Sequence, residues 1–349
     1  MRIQGSIPSL LLALGLLLPA AMAHGGGGSA WEQFRDGFIS PDGRTVDAGQ
    51  GKISHSEGQG YAMLLAVAHD DGPLFDKLWR WTRNNLGVRK DKLFAWQWGE
   101  RPTGEWNVLD FNNATDGDIL IAYALLKGGE RWKNADYTAR GREIVRAIRE
   151  NLAVTLEGRT LLLPGYEGFN DGSGVVFNPS YIILPAYRLF AQVDDRPFWE
   201  KLQEDGRHLL AVSSVGEWGL PADWMRLDGS GVRADLGKSP YFGYGAIRVL
   251  LYLSGEKSPP YPKGLKRILA YYRREGYLPR MIDLERESVS LLPASAGFYA
   301  VYALAARRSG ETVLAGRIGR EADNKLLQEK DAYYSLVLYL LATEKGVFE

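Results

Sequence analysis

Two short stretches set acids in the same surroundings. Ser56-Glu57-Gly58-Gln59 and Thr115-Asp116-Gly117-Asp118 each read hydroxyl, acid, glycine, polar residue, just ahead of an apolar run. The first chemistry this permits is purely local. Ser54-x-x-Glu57 and Ser56-x-x-Gln59 both match the capping box, in which a hydroxyl and a carboxylate or amide bind free amides of the first helical turn. Asp116 and Asp118 likewise stand where a helix dipole favours negative charge. The second chemistry is proton transfer, with a carboxyl at each helix start facing a ligand. Gly58 and Gly60 bear on the choice, because each costs about 1 kcal/mol in a helix interior relative to Ala. Their presence predicts that something approaches this backbone closely. A calcium loop fits poorly, since the EF-hand spacing and its terminal Glu are missing around Asp116 and Asp118.

The aromatic residues near these acids narrow the choice. "LFAWQWGERPTGEWNVLD" carries Trp96, Trp98 and Trp106, and "EWGLPADWMR" carries Trp218 and Trp224. Some tryptophans in loops plug a core. A row of flat apolar faces interleaved with Asn, Asp and Arg is also what a pyranose chain requires, since sugar rings stack on indoles while polar groups take the hydroxyls. Glycoside hydrolysis needs two carboxylates flanking the scissile bond, roughly 6.5 to 9.5 Å apart for inversion and closer for retention.

Composition agrees with a neutral partner. Basic and acidic residues balance at 42 each, so no net field draws the chain to nucleic acid or to an anionic membrane. There are no cysteines and four histidines, which excludes disulfides and thiol nucleophiles and leaves little for a zinc site; no metal or other cofactor is expected. Residues 1–23 read as a signal peptide: Arg2, an apolar run from Leu10 to Leu18, then Pro19 and Ala21-Met22-Ala23 with cleavage near Ala23. That run is short for a bilayer span, so no membrane anchor is expected and the chain is placed in the periplasm or medium of a bacterium. Residues 24–30, beginning "HGGGGS", read as a flexible leader.

These residues must be positioned by helices. A 3.6-residue apolar period predicts helices near 29–38, 56–70, 74–87, 115–128, 133–152, 178–193, 196–213, 239–254, 262–274, 293–307, 310–322 and 331–344. Alternating strands are scarce, with "RTLLLPG" (159–165) the one short candidate. The chain reads as all-α, with helices in pairs and long Trp-, Gly- and Asn-rich loops such as 93–113 and 166–177 gathered on one face to shape a cleft. No Pro/Ser-rich linker interrupts 31–349, which is expected to be a single catalytic domain and a monomer.

Six blocks in order then resemble glycoside hydrolase family 8, closest to the periplasmic endoglucanases of bacterial cellulose-synthesis operons. They are "SEGQGYAMLLAV" (56–67), "WNVLDFNNATDGDILIAYALL" (106–126), "LLPGYEGF" (162–169), "FNPSY" (177–181), "PADWMR" (221–226) and "DAYYSLVLYL" (331–340). The resemblance implies an (α/α)6 barrel and inverting hydrolysis of β-1,4-linked glycans without a cofactor, the partner being a polysaccharide. It implies that Glu57 is the general acid and that Asp116 holds the sugar at the point of cleavage. It further implies that Trp96, Asn112, Tyr181, Asp223, Arg248 and Tyr334 bind substrate.

One position departs from the family pattern. Members of this type carry their general base as an aspartate after a tyrosine and before Ala-Ile-Arg; here the stretch is "SPYFGYGAIRVLLYL" (239–253), with Gly245 in that place. Glycine can neither accept a proton nor orient a water through a side chain. Three readings stay open: a base at Asp116, Asp118 or Asp223, slow hydrolysis without one, or a glycan-binding protein that has lost turnover.

Overall fold

The structure is a computed structural model and describes residues 29–329 and 331–348. The expected signal peptide and residues 24–28 of the expected leader lie outside the described residues. Ser29 and Ala30 open the helix expected near 29–38: Ser29 and Glu32 form a reciprocal capping box.

The described residues form twelve α-helices: α1 Ala30–Phe38, α2 Ser56–Ala68, α3 Gly72–Asn85, α4 Thr115–Arg131, α5 Ala135–Leu152, α6 Leu184–Phe190, α7 Arg196–Val212, α8 Ile247–Leu253, α9 Gly264–Glu275, α10 Ala296–Arg308, α11 Thr312–Leu326 and α12 Tyr333–Thr343. In the inner ring α2 packs on α4, α4 on α6, α6 on α8, α8 on α10, α10 on α12, and α12 back on α2. Around it α1 backs α12, α3 backs α2, α5 backs α4, α7 backs α6 and α11 backs α10. This is the (α/α)6 barrel expected from the sequence. Burial follows from position: every residue of α8 is buried, whereas α5 shows solvent all but the stripe Gly141, Ile144, Val145, Ala147, Ile148 and Leu152. An inner helix is apolar all round, an outer helix on one face.

Two predicted helices are shorter than their periodicity. Within 178–193, helix α6 begins only at Leu184, with Pro185 in its first turn, where a proline's missing N–H leaves no helical bond unmade. Within 239–254, Tyr241–Phe242 is a strand and α8 begins at Ile247, after Gly243 and Gly245. Strands are also more numerous than the sequence reading allowed. Besides the pair Ala153–Leu156 and Arg159–Leu162, the latter covering the first four residues of the predicted stretch, three small antiparallel sheets stand in the long loops. One of them joins Ser54–His55 to Gln97–Glu100 and then to Trp106–Asp110. Such two- to five-residue strands carry too little alternation to be read from sequence.

The glycines of α2 and α4 are explained by this packing. A Cβ on Gly60 would lie 2.6 Å from Leu120 Cβ, and one on Gly117 would lie 2.8 Å from the Glu57 amide nitrogen and closer still to Ser56. The close approach predicted at Gly58 and Gly60 is therefore that of other helices, with Tyr333 of α12 abutting Gly58. Only bare α-carbons let the first turns of α2 and α4 touch. Gly117→Ala is expected to destabilise the fold by about 1–3 kcal/mol through overpacking and to lower glycan cleavage with it, read as a fall in melting temperature alongside turnover.

Candidate active site

The inner helices bring their amino-terminal ends to one side of the ring, around a cleft of about 950 Å³. Its lining includes Glu57 at the start of α2, Tyr181 ahead of α6, Gly245 and Arg248 at the start of α8, Ser295 ahead of α10, and Tyr333 and Tyr334 at the start of α12. Positive helix ends converging there favour carboxylates in the cleft.

Glu57 does not cap its helix. The cap of α2 is His55, whose Nδ1 accepts the Gly58 amide at 2.9 Å. Of the predicted capping boxes, the Ser56 hydroxyl is buried without a hydrogen-bond partner, and the Ser54 hydroxyl and Gln59 amide serve elsewhere. Ser54 Oγ donates to Thr45 O at 2.5 Å, and the buried Gln59 amide ties Thr45, Gly43, Leu78 and Thr82 together. Helix α4 has no side-chain cap from the residue ahead of it, and Asp116 Oδ1 accepts from Gly117 N at 2.9 Å. Glu57 is thus released from capping and presents its carboxylate to the cleft.

Behind Glu57 lies Asp116, held against it by the contact of the two first turns. Arg248 binds both, its guanidinium 2.8 Å from Glu57 Oε1 and 2.9 Å from Asp116 Oδ2. The same arginine donates to Tyr61 Oη at 3.2 Å, and Tyr61 is 2.7 Å from the hydroxyl of Tyr252. The Glu57 side chain keeps 18% of its surface exposed while that of Asp116 keeps none. Glu57 is accordingly the acid that a sugar can touch.

One guanidinium cannot balance two buried carboxylates without cost, and the pair answers by holding a proton. Burial first, then the charge of Glu57, pushes Asp116 up to about 7. Burial also acts to raise Glu57, but Arg248 and then His55 outweigh it and its carboxyl lies below the ordinary range. The pair therefore binds one proton around neutrality as a unit. His55 is itself raised: burial disfavours its charge, and Asp47 and Glu57 overcome that. Its Nδ1 is taken by the Gly58 amide, which leaves Nε2, 3.6 Å from Asp47 Oδ2, as the nitrogen that carries the proton of the neutral ring.

The residues expected to bind substrate divide in two. Tyr181, Asp223, Arg248 and Tyr334 line the cleft; Trp96 and Asn112 are not among its lining residues. Trp96 matters through its backbone, accepting from Ser56 N at 3.0 Å and donating to Asn112 O at 2.8 Å, so that it joins the approaches to α2 and α4. The Asn112 side chain spends itself on Asn113 and on both backbone groups of Glu167. Asp118 is buried away from the cleft, accepting from Phe94 N at 2.8 Å and from the Asn113 amide at 2.7 Å. It fixes the loop before Trp96 and cannot reach a substrate.

The sequence marks Trp224 among the aromatics suited to sugar and leaves Tyr244, Asp47 and His55 unmarked. Trp224 is stacked on Phe169 with ring centroids 5.6 Å apart, and the half-exposed Tyr244 leans on Tyr334, whose hydroxyl donates to Tyr244 O at 2.7 Å. Both line the cleft. Asp47 and His55, from the loop before α2, stand behind Glu57, and no local pattern marks them. The "PADW" block did mark Trp224, though not its place in the wall. The Arg44 guanidinium lies 5.1 and 4.9 Å from the ring centroids of Trp98 and Trp106, which pack on each other at 5.2 Å, and Trp218 packs on Tyr271.

Comparison with known proteins accords with this geometry. The profile of glycosyl hydrolases family 8 matches residues 6–345. An endoglucanase of Cellulomonas uda is 39% identical over 255 residues, covering 73% of this chain and 69% of the relative. An endoglucanase of Escherichia coli K12 is 32% identical over 348 residues, covering 97% of this chain and 91% of that one. Among solved structures, endoglucanase Cel10 of Klebsiella pneumoniae, a family 8 glycosyl hydrolase, superposes with a TM-score of 0.79 at 36% identity, covering 90% of this chain and 97% of its own. With a barrel, a carboxylate cleft and matches along nearly its whole length, the chain belongs to glycosyl hydrolases family 8 and is a glycoside hydrolase of the endoglucanase type.

The shared proton makes a pH prediction. With Asp116 pushed up to about 7 and Glu57 held below its ordinary range, the pair keeps one proton below about pH 7 and loses it above, so glycan cleavage is expected to fall as pH rises through about 7. Arg248→Met removes the positive charge that lowers both acids. It should move that alkaline limb upward while destabilising the fold by about 3–5 kcal/mol at neutral pH, measured as kcat against pH and by thermal melting.

Proposed function

We propose that this chain is an endo-β-1,4-glucanase that cleaves glucan chains by single displacement with inversion, Glu57 acting as general acid. The observation that carries the reading is the placement of Glu57. It is the exposed member of a buried carboxyl pair that retains one proton near neutrality, at the mouth of a cleft walled by Tyr181, Trp224, Tyr244 and Tyr334. A general acid must hold its proton at working pH and deliver it to the leaving glycosidic oxygen.

The remaining roles follow from the same arrangement. Asp116 serves as the proton's resting place beneath Glu57 and positions the sugar indirectly, through Tyr181, whose hydroxyl adjoins it. Tyr61, Tyr181 and Tyr334 are raised well above the ordinary tyrosine value, chiefly by burial, and so stay protonated hydrogen-bond donors. Arg248 keeps the pair from taking up a second proton and orients both carboxylates. The aromatic walls take the apolar faces of successive glucose rings. Export to the periplasm or medium is supported by the sequence of residues 1–23, and no described helix is long and apolar enough to cross a membrane. The names of the relatives, endoglucanases, support a β-1,4-glucan substrate.

A second reading rests on Gly245: a protein that binds an exopolysaccharide in this cleft with weak or no turnover, or that cuts a related β-linked glycan. Release of reducing ends from carboxymethyl-cellulose separates the two classes. The enzyme reading predicts that Glu57→Gln loses about 10²- to 10⁴-fold of wild-type activity while still binding cello-oligosaccharides. Equal rates for wild type and Glu57→Gln, with binding intact, would leave only the binding protein.

A further inference from the structure

Position 245 lacks a side chain, yet its space is not empty. A Cβ placed on Gly245 would lie 3.1 Å from Asp223 Oδ1 and 3.4 Å from the Cβ and Cγ of Asp223. The other glycine of this turn, Gly243, faces the same group, its Cβ position 2.9 Å from Asp223 Oδ2. Asp223 arrives from a different part of the chain, just ahead of the strand Met225–Asp228, and its carboxylate lies against the bare backbone of both glycines. It lines the cleft together with Glu57, Tyr244, Gly245 and Arg248.

We propose that Asp223 is the general base of this enzyme, binding the attacking water from the space that Gly245 leaves free. The inference rests on the endoglucanase reading above and assigns the group that reading lacks. Asp223 Oδ1 accepts from Gly243 N at 3.1 Å and from Ala246 N at 2.7 Å, while Oδ2 accepts from Ser239 Oγ at 3.1 Å. The Gly245 amide also interacts with this carboxylate, and Oδ2, whose hydrogen bond is to the Ser239 hydroxyl, is the oxygen with a lone-pair direction to offer a water. The three bonds fix the carboxylate rigidly, as a base that must aim a water requires. Tyr334 lies within electrostatic reach of both Glu57 and Asp223, which sets the two acids along one stretch of cleft. The two rival positions are otherwise engaged, Asp116 beneath Glu57 and Asp118 in the loop anchor. Burial raises the Asp223 carboxyl above its ordinary value against those hydrogen bonds, which strengthens it as a base.

In the step itself, the water oxygen bonds to the anomeric carbon as the glycosidic C–O bond breaks. Glu57 gives its proton to the leaving oxygen and Asp223 takes one from the water, so two hydroxyl-terminated chains result. Glu57 is left ionised and Asp223 protonated, and exchange with solvent restores both.

The test compares wild type, Glu57→Gln, Asp223→Asn, Gly245→Asp and the double variant Asp223→Asn/Gly245→Asp on carboxymethyl-cellulose. Asn keeps an oxygen for the Gly243 and Ala246 amides, so melting temperature and KM should change little while kcat falls about 10²- to 10⁴-fold. The acidic limb of the kcat/KM profile should vanish with it. Gly245→Asp alone crowds a second carboxylate against Asp223 and should not raise turnover. In the double variant the carboxylate returns at 245 and should recover at least tenfold of the loss. Should Asp223→Asn fold poorly, Asp223→Ala with added azide provides the second check: azide attack at the anomeric carbon should yield a glycosyl azide of inverted configuration. Asp223→Asn within threefold of wild type, or Gly245→Asp raising turnover on its own, would overturn the assignment. If wild type is no faster than Glu57→Gln, it is the endoglucanase reading that fails instead.

Discussion

Everything in this site turns on one guanidinium shared by two buried carboxylates. Arg248 stands between Glu57 and Asp116, within hydrogen-bonding distance of both. Two ionised carboxylates and one arginine would leave a net negative charge in a poorly solvated place, and retaining a single proton removes it. The proton a glycosidase must donate is therefore kept by electrostatic balance rather than by an apolar pocket around a single acid. In the proposed mechanism Asp116 is the resting place of that proton and Glu57 its outlet to the cleft, because of the two only Glu57 has exposed side-chain surface.

The barrel exists around this constraint. To bring two acids from separate helices so close, the first turns of α2 and α4 must touch, and Gly117 against Ser56 and Glu57 is where they do. The loops add the rest: Trp96 joins the two helix starts through its backbone, Asp118 anchors that loop, and His55 takes over the cap so that Glu57 is free of it. The same use of bare backbone recurs at the far acid. Gly243 and Gly245 make the hollow into which Asp223 fits, so the absence of a side chain at one position is what lets a distant carboxylate stand there.

Much of this was legible in the sequence, and the limits have physical causes. The twelve helices follow from apolar periodicity, because buried helices need it whatever their partners. Glu57 and Asp116 stood out through their shared local grammar. Its meaning was misread where it depended on tertiary partners: the hydroxyls of Ser54 and Ser56 fit a capping box on paper, but His55 makes the cap. Gly58 and Gly60 signalled close approach without saying of what. Asn112 and Trp96 sit in recognisable blocks, and the loop ties and backbone joints they make depend on neighbours that a sequence block does not name. Asp223 was one candidate base among several, and only its position against Gly245 singles it out.

The stereochemistry of the first product tests the single-displacement account most directly. Proton NMR of cello-oligosaccharide cleavage, recorded before mutarotation, reports which anomer is released at the new reducing end. A water held opposite Glu57 predicts that the α-anomer appears first and then equilibrates to the β-anomer. Initial release of the β-anomer would mean a covalent intermediate and two displacements, and would contradict the division of labour described here.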